Sequence, residues 1–292
     1  MSKLISWDDQ HCFLTVLQEG SLSAAARKLG VSQPTVRTRI ARLEEAVGAT
    51  LFTRSINGLI PTDHARDLFQ SVHSMALASD EFVRRASAPV GEIAGTVRLS
   101  MPEAMGTEIV PFMLARARDD HPALQIELEL SNRPADLLQR EVDIAVRTTP
   151  PKQDALVAHK VASIPLCYFA SHGYIARHGE PQTLADLKSH TIIGPDRNQS
   201  DLKLAKRIGL DLDIRPAIRT DSHPAQIAAT VAGLGIGIMQ MPIGRKYPDL
   251  KQILTSQTVY RMDTWIVTHE DLRNIPKIRY VFDTLVTAFM DL

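Results

Sequence analysis

The sequence predicts an α/β protein that begins with an all-α domain, and three features of the chain support this. Residues 1–86 contain few strand-like runs and no strong pair of helix breakers. Residues 87–95, SAPVGEIAG, combine one proline and two glycines with small residues, which predicts a linker. From Thr96 onward, short apolar runs alternate with helical patterns, which favours a mostly parallel sheet covered by helices.

Length and composition exclude several classes of protein. The chain has 292 residues, enough for about two domains. Its 44% hydrophobic and 23% charged residues are close to the globular average, which excludes disordered and fibrous proteins. Lys plus Arg and Asp plus Glu each number 33, so only a local basic surface could bind nucleic acid. The chain has neither a signal-peptide core nor an apolar stretch of the ~20 residues that a membrane span needs, so we expect a cytoplasmic protein without a membrane partner.

Three helices are predicted before residue 50. The first runs from about Trp7 to Gln18, Ser21 or Ser23 can cap the second, and Ser32 can cap the third. The glycines that can end these helices are Gly20, Gly30 and Gly48. The second and third helices are joined by a very short turn that contains a glycine, as a helix-turn-helix requires.

The third predicted helix carries side chains that can read DNA. In a helix-turn-helix, the N-terminal residues of the second helix of the motif enter the major groove, where Gln can pair with adenine and Arg with guanine. Residues 27–54 carry six basic and two acidic side chains, a net charge of +4 in a chain that sums to zero. The predicted DNA contacts in this helix are Ser32, Gln33, Pro34, Thr35, Arg37, Thr38 and Arg42. On pattern alone, a solvated helical hairpin without DNA-binding function remains the alternative.

Residues 63–87 predict one long helix with a heptad seam. Apolar or small residues recur there at alternating spacings of three and four. Since helix-turn-helix proteins usually bind paired half-sites as dimers, we expect this seam to join two protomers. The predicted interface residues are Leu68, Val72, Met75 and Phe82. An amphipathic helix packed on its own domain is the alternative.

Residues 7–65 resemble the DNA-binding domain of LysR-type transcriptional regulators. The matching residues are Phe13, residues 20–26 (GSLSAAA), Leu29, Ser32-Gln33-Pro34, Ile40, Leu43-Glu44, Gly48, Leu51-Phe52, Arg54, Gly58 and Pro61-Thr62. The resemblance implies a winged helix-turn-helix whose wing is residues 51–62, with Arg54 at the phosphate backbone or in the minor groove. The chain departs from the family at Arg37-Thr38, where a small hydroxyl residue followed by arginine is common, and at Ala65, where glycine is usual. The first departure leaves the base preference undefined.

Residues 96–292 resemble the effector-binding half of the same family. The matching runs are RLSMP, HPALQIELEL, DIAVR, VAGLGIGIMQMP and THEDLRNIPKIRYVFDTL. The resemblance implies two α/β lobes, like those of a periplasmic binding protein, with a ligand in the cleft between them. The expected segments are a winged helix-turn-helix domain (1–62), a linker helix (63–87) and an effector domain (88–292), with lobe I near 96–164 and 266–292 and lobe II near 165–265. The implied partners are a double-stranded DNA operator, a small-molecule effector, further copies of the chain in a dimer or tetramer, and RNA polymerase if the protein is an activator.

The resemblance also implies where the effector binds. In the family the ligand touches the loop after the first strand, the end of the DxAxR strand and two loops of the second lobe. In this chain these residues are Ser100, Pro102, Glu103, Ala104, Met105, Arg147, Thr148, Thr149, Asp196, Asn198, Ser200, Thr220 and Ser222. Backbone N–H groups after Pro102 and the Arg147 guanidinium favour a small organic acid, while Glu103 favours an additional cationic or hydroxyl group. The alternative is that Arg147 pairs with a surface acid, Glu141 or Asp143.

An enzyme and a solute-binding protein are the competing interpretations. Gly233, Gly235 and Gly237 are spaced G-x-G-x-G and follow a predicted helix, the reverse of the order in a dinucleotide-binding loop. The chain has no G-x-S-x-G motif or P-loop, its histidines form no H-x-x-x-H pair, and Cys12 and Cys167 lie far apart. We therefore predict no catalytic residue, cofactor or metal. A solute-binding protein would explain residues 96–292 but not the helix-turn-helix.

Overall fold

The described residues of the computed structural model form two compact units, Met1–Val83 and Arg84–Leu292. The structure describes residues 5–55, 58–86, 92–132, 142–151, 155–207, 217–257 and 259–292. Each unit has its own hydrophobic core, as expected for chain segments that fold separately.

The first unit is a winged helix-turn-helix. Its elements are α1 (Trp7–Glu19), α2 (Leu22–Leu29), α3 (Gln33–Val47), β1 (Phe52–Ser55), β2 (Gly58–Pro61) and the start of α4 (Asp63–Ala86). Each helix is capped by a serine, Ser6, Ser21 or Ser32, whose hydroxyl oxygen accepts the backbone N–H of the residue three positions later. A glycine in the left-handed conformation ends each of the three helices. The predicted three helices are confirmed, and Ser21 rather than Ser23 caps the second.

The N-terminal half of α4 packs on the core of its own unit. Ala65 is fully buried and Val72 is only 8% exposed, and both pack with the core residues of α1 and α3. The prediction that Val72 faces a second protomer is therefore wrong for this residue, because the small three-helix core is closed by the α4 stripe that includes it. Met75 and Phe82, seven residues apart, are 44% and 72% exposed. Leu68 is partly buried against the same core.

The second unit is built on a seven-stranded sheet. Its elements are β3 (Gly95–Met101), α5 (Glu103–Glu108), α6 (Val110–Asp120), β4 (Leu124–Leu130), β5 (Ile144–Arg147), β6 (Leu156–Ser171), α7 (His172–His178), β7 (Ile193–Gly194), α8 (Gln199–Arg207), β8 (Ile218–Arg219), α9 (His223–Val231), β9 (Gly237–Gln240), α10 (Met241–Lys246), β10 (Leu250–Ile253), β11 (Tyr260–His269) and α11 (Pro276–Met290). The strand order is β10-β6-β11-β5-β3-β4, with β9 also paired to β6, while β7 and β8 form a separate pair.

Most pairs of neighbouring strands in this sheet are antiparallel, so the prediction of a mostly parallel sheet is wrong. Among the described strands of this sheet, the parallel pairs are β3–β4 and β3–β5. The long strands β6 and β11 are antiparallel to each other, and β6 is also antiparallel to β9 and β10. These two strands connect the part of the sheet that contains β3–β5 with the part that contains β9 and β10. The alternation of strands and helices in the sequence could not reveal a pairing between segments about 100 residues apart. The predicted lobe boundaries stay a prediction.

The second unit has two main hydrophobic clusters, which are buried between the sheet and the helices that cover it. The larger cluster includes Leu99, Ile144, Ile266, Val281 and Leu285, and the smaller one is centred on Tyr174, Leu187 and Ile236. Gly233 adopts a left-handed φ of 75° in the turn between α9 and β9, which agrees with the structural role predicted for this glycine run. Among the described residues, no helix could span a membrane and no group of His, Cys, Asp and Glu could hold a metal ion.

Candidate functional site

Helix α3 presents one buried and one exposed face. Val36, Ile40 and Leu43 are buried in the core, whereas Gln33, Pro34, Arg37 and Thr38 are exposed. The exposed side chains are concentrated in the first two turns, the part of a recognition helix that enters the major groove.

Ser32 and Thr35 are engaged with each other at the start of α3. The Ser32 hydroxyl oxygen accepts the Thr35 N–H at 3.3 Å and lies 2.7 Å from the Thr35 hydroxyl. This cap fixes the first turn of the helix. Both residues therefore have a structural role beside the predicted contact with DNA.

The arginines of α3 have different surroundings. Arg39 pairs with Asp8 at 3.3 Å, and Arg42 pairs at 2.8 Å with Asp9, whose side chain is only 5% exposed. These pairs tie α3 to α1. Within the described part of the chain, Arg37 makes no ion pair, so its guanidinium is available to a ligand. The Arg42 side chain remains 59% exposed, so some of its N–H donors can still reach solvent.

The wing is anchored to the helices at both ends. The Glu44 carboxylate accepts the backbone N–H groups of Leu51 and Phe52 at 2.7 and 3.2 Å. On the other strand, the Leu59 N–H donates to Gly20 O at 3.1 Å. A Cβ at Gly58, where φ is 124°, would lie 2.8 Å from that same oxygen, so only glycine fits this approach. Arg54 lies on β1 opposite Leu59, but its side chain is outside the described residues.

Arg147 ends β5 and is held against β3. Its guanidinium donates to Ser100 O at 3.2 Å, to Val146 O at 2.9 Å and to the Ser100 hydroxyl at 3.2 Å. Among the described residues, three of its five N–H donors are thereby used and two are not. Burial lowers the pKa of Arg147, against the opposing effect of the Glu129 carboxylate. Ser100 has no exposed surface and accepts hydrogen bonds from Arg147, so its predicted contact with the effector stays a prediction.

The sequence analysis suggested Glu141 and Asp143 as possible ion-pair partners of Arg147. Glu141 lies outside the described residues. The Asp143 carboxylate accepts the backbone N–H of Arg98 at 2.8 Å, a bond that joins β3 to the start of β5.

At the start of α5, Glu103 is accessible to an effector but Met105 is not. Met105 is completely buried in the main core, so its predicted effector contact is wrong: the third residue of this short helix turns toward the sheet. The Glu103 N–H donates to Asn132 Oδ1 at 3.2 Å, and the Glu103 carboxylate accepts the Ser222 hydroxyl at 3.4 Å. Pro102 and Ala104 are partly exposed beside it. The Glu103–Ser222 contact joins two loops that are 119 residues apart in the sequence.

The two loops predicted in the second lobe are joined by Asp221, a residue that the sequence analysis missed. Its Oδ1 accepts the backbone N–H groups of Asp196, Arg197 and Asn198 at 2.9, 2.9 and 3.0 Å. These bonds favour the charged carboxylate and hold the pKa of Asp221 below its usual value. Asn198 Oδ1 in turn accepts the Ser200 N–H at 3.0 Å near the start of α8. The only available signal was the position of Asp221 between the predicted Thr220 and Ser222.

His223, at the start of α9, is a second residue that was missed. Its Nε2 lies 3.0 Å from Asp201 Oδ2. The hydrogen bond to Asp201 raises the pKa of His223 most, and the charges of Glu103 and Asp221 raise it further, against an opposing effect of burial. Glu103, Asp201, Asp221, Ser222 and His223 thus form one group, which we call the loop cluster.

The remaining predicted effector residues are less constrained. Thr148 is partly buried and Thr149 is exposed at the end of β5, while Thr220 and Asp196 flank the loop cluster. Thr220 is held by the Gln226 side chain, whose amide donates to Thr220 O at 2.6 Å. The structure therefore joins the predicted residues into two sets, Ser100 with Arg147 and Glu103 with the loops at 196–200 and 220–222.

The raised pKa of His223 predicts a measurable pH dependence. In an NMR titration of the full chain, we expect the pKa of His223 to lie above its ordinary value of 6.5 and to fall in Asp201→Asn, with Asp283→Asn on α11 as the control. Since the folded pKa is raised, the stabilisation that His223 provides over His223→Gln is fully present below pH 6.5 and is lost as the pH rises through the folded pKa. A His223 pKa that is unchanged by Asp201→Asn would contradict this assignment.

Comparison with known proteins accounts for both units. Residues 7–66 match the family model for the bacterial regulatory helix-turn-helix protein, lysR family, and residues 91–290 match the model for the LysR substrate binding domain. The probable HTH-type transcriptional regulator LtrA of Klebsiella pneumoniae is 25% identical over 286 residues, which cover 95% of this chain and 93% of that protein.

Solved structures share the fold of this chain. The full-length virulence activator AphB of Vibrio cholerae aligns with a TM-score of 0.64 at 20% identity, over 97% of this chain and 99% of AphB. CbnR, described as a LysR family transcriptional regulator, aligns with a TM-score of 0.70 at 18% identity, over 98% of this chain and 99% of CbnR. These similarities show the fold, and the two family models, which cover most of the chain, show that it belongs to the LysR family of DNA-binding transcriptional regulators, with an N-terminal helix-turn-helix domain and a C-terminal effector-binding domain.

Proposed function

We propose that this regulator reads its operator with Gln33 and Arg37 of α3, binds DNA as a dimer, and responds to a small organic acid that also carries a hydroxyl or amino group. The observation that carries the first part is the separation of the arginines of α3. Arg39 and Arg42 are paired with acids of α1, while Arg37 and Gln33 project from the exposed first turns. Arg54 on the wing is proposed to contact phosphate. Contact with RNA polymerase is expected if the regulator activates transcription.

The effector class follows from the charges around the proposed site. Within the described part of the chain, Arg147 retains two N–H donors, which suit a carboxylate. The loop cluster, however, presents the carboxylates of Glu103 and Asp201 beside the His223 imidazole. A ligand with only carboxylate groups would meet unfavourable charge there, whereas a hydroxyl or ammonium group could donate to Glu103 in place of Ser222.

The dimer is supported by the exposed side of α4. Met75 and Phe82 lie on one side of this helix and expose large apolar side chains. Such side chains are expected to be covered when a second copy pairs along the helix. A structure of full-length CbnR in complex with its target DNA has been solved, so in CbnR a protein of this fold binds DNA.

Substitutions in α3 should separate base reading from phosphate binding. Gln33→Ala and Arg37→Ala should each cost ~1–3 kcal/mol of binding free energy on the operator and relax the preference at particular base pairs. Arg54→Ala should weaken binding to operator and scrambled duplexes alike and reduce the salt dependence. Affinities on both duplexes at several salt concentrations measure this, with DNA upstream of the protein's own gene as the operator source. Arg39→Ala is the matched control. Because the Arg39 guanidinium is paired with Asp8, this substitution should change the preference for operator over scrambled DNA least. Equal losses on both duplexes for Gln33→Ala and Arg37→Ala would refute base reading by α3.

The two faces of α4 should respond differently to a new charge. Phe82→Asp should dissociate the dimer in sedimentation velocity without unfolding the first unit, because Phe82 is 72% exposed within one chain. Val72→Asp should instead lower the free energy of unfolding of that unit by about 3 kcal/mol, because it buries a charge in the core. In a Trp265→Phe background, Trp7 is the remaining tryptophan and reports this unfolding. Gln70→Asp, an exposed position away from the seam, is the control. A dimer that survives Phe82→Asp at full affinity would exclude this side of α4 as the interface.

Matched acids can test the effector class by thermal shift on the full chain. Succinate, malate and aspartate differ only in one substituent, as do benzoate, 4-hydroxybenzoate and 4-aminobenzoate. We expect the hydroxyl- or amino-bearing acids of at least one series to raise the melting temperature more than the unsubstituted acid. Arg147→Gln should abolish that shift, and Arg116→Gln, whose side chain is 90% exposed on α6, should leave it intact. A shift that persists in Arg147→Gln would remove this residue from the site, and no shift with any acid would reject the acid class.

A further inference from the structure

A cavity lies along strand β6 of the effector-binding domain, bordered by α10, β11 and the end of α11. It has a volume of about 730 Å³, within the size range of small-molecule sites. Its walls come from β6 (Ser163, Pro165), α10 (Pro242, Arg245), β11 (Arg261) and the end of α11 (Phe289). None of the residues assigned to effector binding above lines this cavity.

The charged side chains that line the cavity are positive. They are Arg245 and Arg261, and no Asp or Glu side chain among the described residues lines it. Both guanidiniums act on the Cys167 thiol in the same wall, where they oppose the effect of burial that raises the pKa of this thiol. Among the residues that the structure describes, neither arginine forms an ion pair. The neighbouring Asp263 carboxylate pairs with Lys160 at 2.7 Å, and the charge of Arg261 contributes, after Lys160, to the lowered pKa of Asp263.

The arginines are also positioned to serve a ligand. Arg261 donates one N–H to Ser163 O at 3.0 Å, which anchors its side chain along β6 while other donors stay available. Arg245 is exposed on α10 and approaches the cavity from a different element. Two guanidiniums from separate elements can hold one carboxylate between them.

The rest of the lining is largely apolar. Ile164, Met241 and Phe289 contribute hydrocarbon or aromatic surface, and Gln252 and Thr255 add neutral polar groups. A purely ionic ligand such as inorganic phosphate would leave this apolar surface unused. The lining therefore suits a molecule with one anionic end and an apolar body.

We propose that this cavity is a second ligand site, distinct from the loop cluster, for a monocarboxylate with an apolar body. The carboxylate lies between Arg245 and Arg261, and the body lies against Ile164 and Phe289. Since β6 and β11 connect the two parts of the sheet, and α10 and α11 pack on those parts, a bound ligand stabilises their present arrangement. Binding there can modulate the regulator without occupying the loop cluster.

4-Phenylbutyrate is a suitable probe, and its neutral amide, 4-phenylbutyramide, is the matched control ligand. Calorimetric titration of the full chain should show saturable binding of the acid and about tenfold weaker binding of the amide, because charge-assisted hydrogen bonds are lost. Arg245→Gln and Arg261→Gln should each weaken binding of the acid by about tenfold. Arg279→Gln, on the exposed side of α11, should leave the affinity unchanged. Arg147→Gln should also leave it unchanged, which separates this site from the proposed effector site.

Methionine methyl NMR locates the bound probe independently of the variants. The methyl signals of Met241 and Met290, which line the cavity, should shift on titration with the acid. The signal of Met105, buried near the α5 loop, should not. No binding of the acid, equal binding of acid and amide, binding that is unaffected by both arginine substitutions, or binding that is lost in Arg147→Gln would each overturn the proposal.

Discussion

The antiparallel pairing of β6 with β11 is the interaction on which the effector-binding domain depends. It extends from Tyr260 opposite Leu166 to His269 opposite Leu156, with one shift of register between Thr264 and Trp265. Through these two strands, β5 and β3 on one side and β9 and β10 on the other become parts of one sheet. Two of the proposed ligand-binding regions adjoin that pair. Arg147 is directly opposite Trp265, and the cavity with Arg245 and Arg261 lies along β6.

The register shift is a weak point in an otherwise regular pairing. Among the described residues, the Thr264 hydroxyl and the Trp265 indole N–H are both buried without a hydrogen-bond partner. A buried polar group left unpaired costs about 1–3 kcal/mol. The hydrogen-bonding groups of the two strands that join the parts of the sheet are thus less completely paired at the register shift than elsewhere.

Internal hydrogen bonds already occupy much of the polar surface at the proposed effector site. Arg147 is bound to Ser100 and Val146, Glu103 to Ser222, and Asp201 to His223. An effector must therefore exchange some of these bonds for its own, so the net gain for each exchanged bond is small. In the proposed binding mode, selectivity depends on whether the ligand supplies both an acceptor for Arg147 and a donor for Glu103. The arginines of α3 differ in the same respect: Arg39 and Arg42 are paired with Asp8 and Asp9, whereas Arg37 forms no ion pair among the described residues.

The sequence alone determined the features that depend on near neighbours in the chain. Ser21, Ser32, Gly20 and Gly30 mark the ends of the helices because each cap is formed with residues three or four positions away. The exposed face of α3 followed from the same short-range periodicity, and family resemblance added the wing and the two-part organisation.

Contacts between distant segments were decided only by the tertiary structure. Val72 and Met75 have the same apolar character and belong to one heptad seam, yet only packing against α1 and α3 buries the first and leaves the second exposed. Met105 was assigned to the ligand and lies in the core, while Asp221 and His223 became part of the site through loops that meet across more than twenty residues. The antiparallel β6–β11 pair replaced the expected parallel sheet for the same reason. Local sequence patterns predict helices and turns because the interactions that form them are between near neighbours in the chain. Burial, ion pairing and strand direction depend instead on which distant segments come into contact.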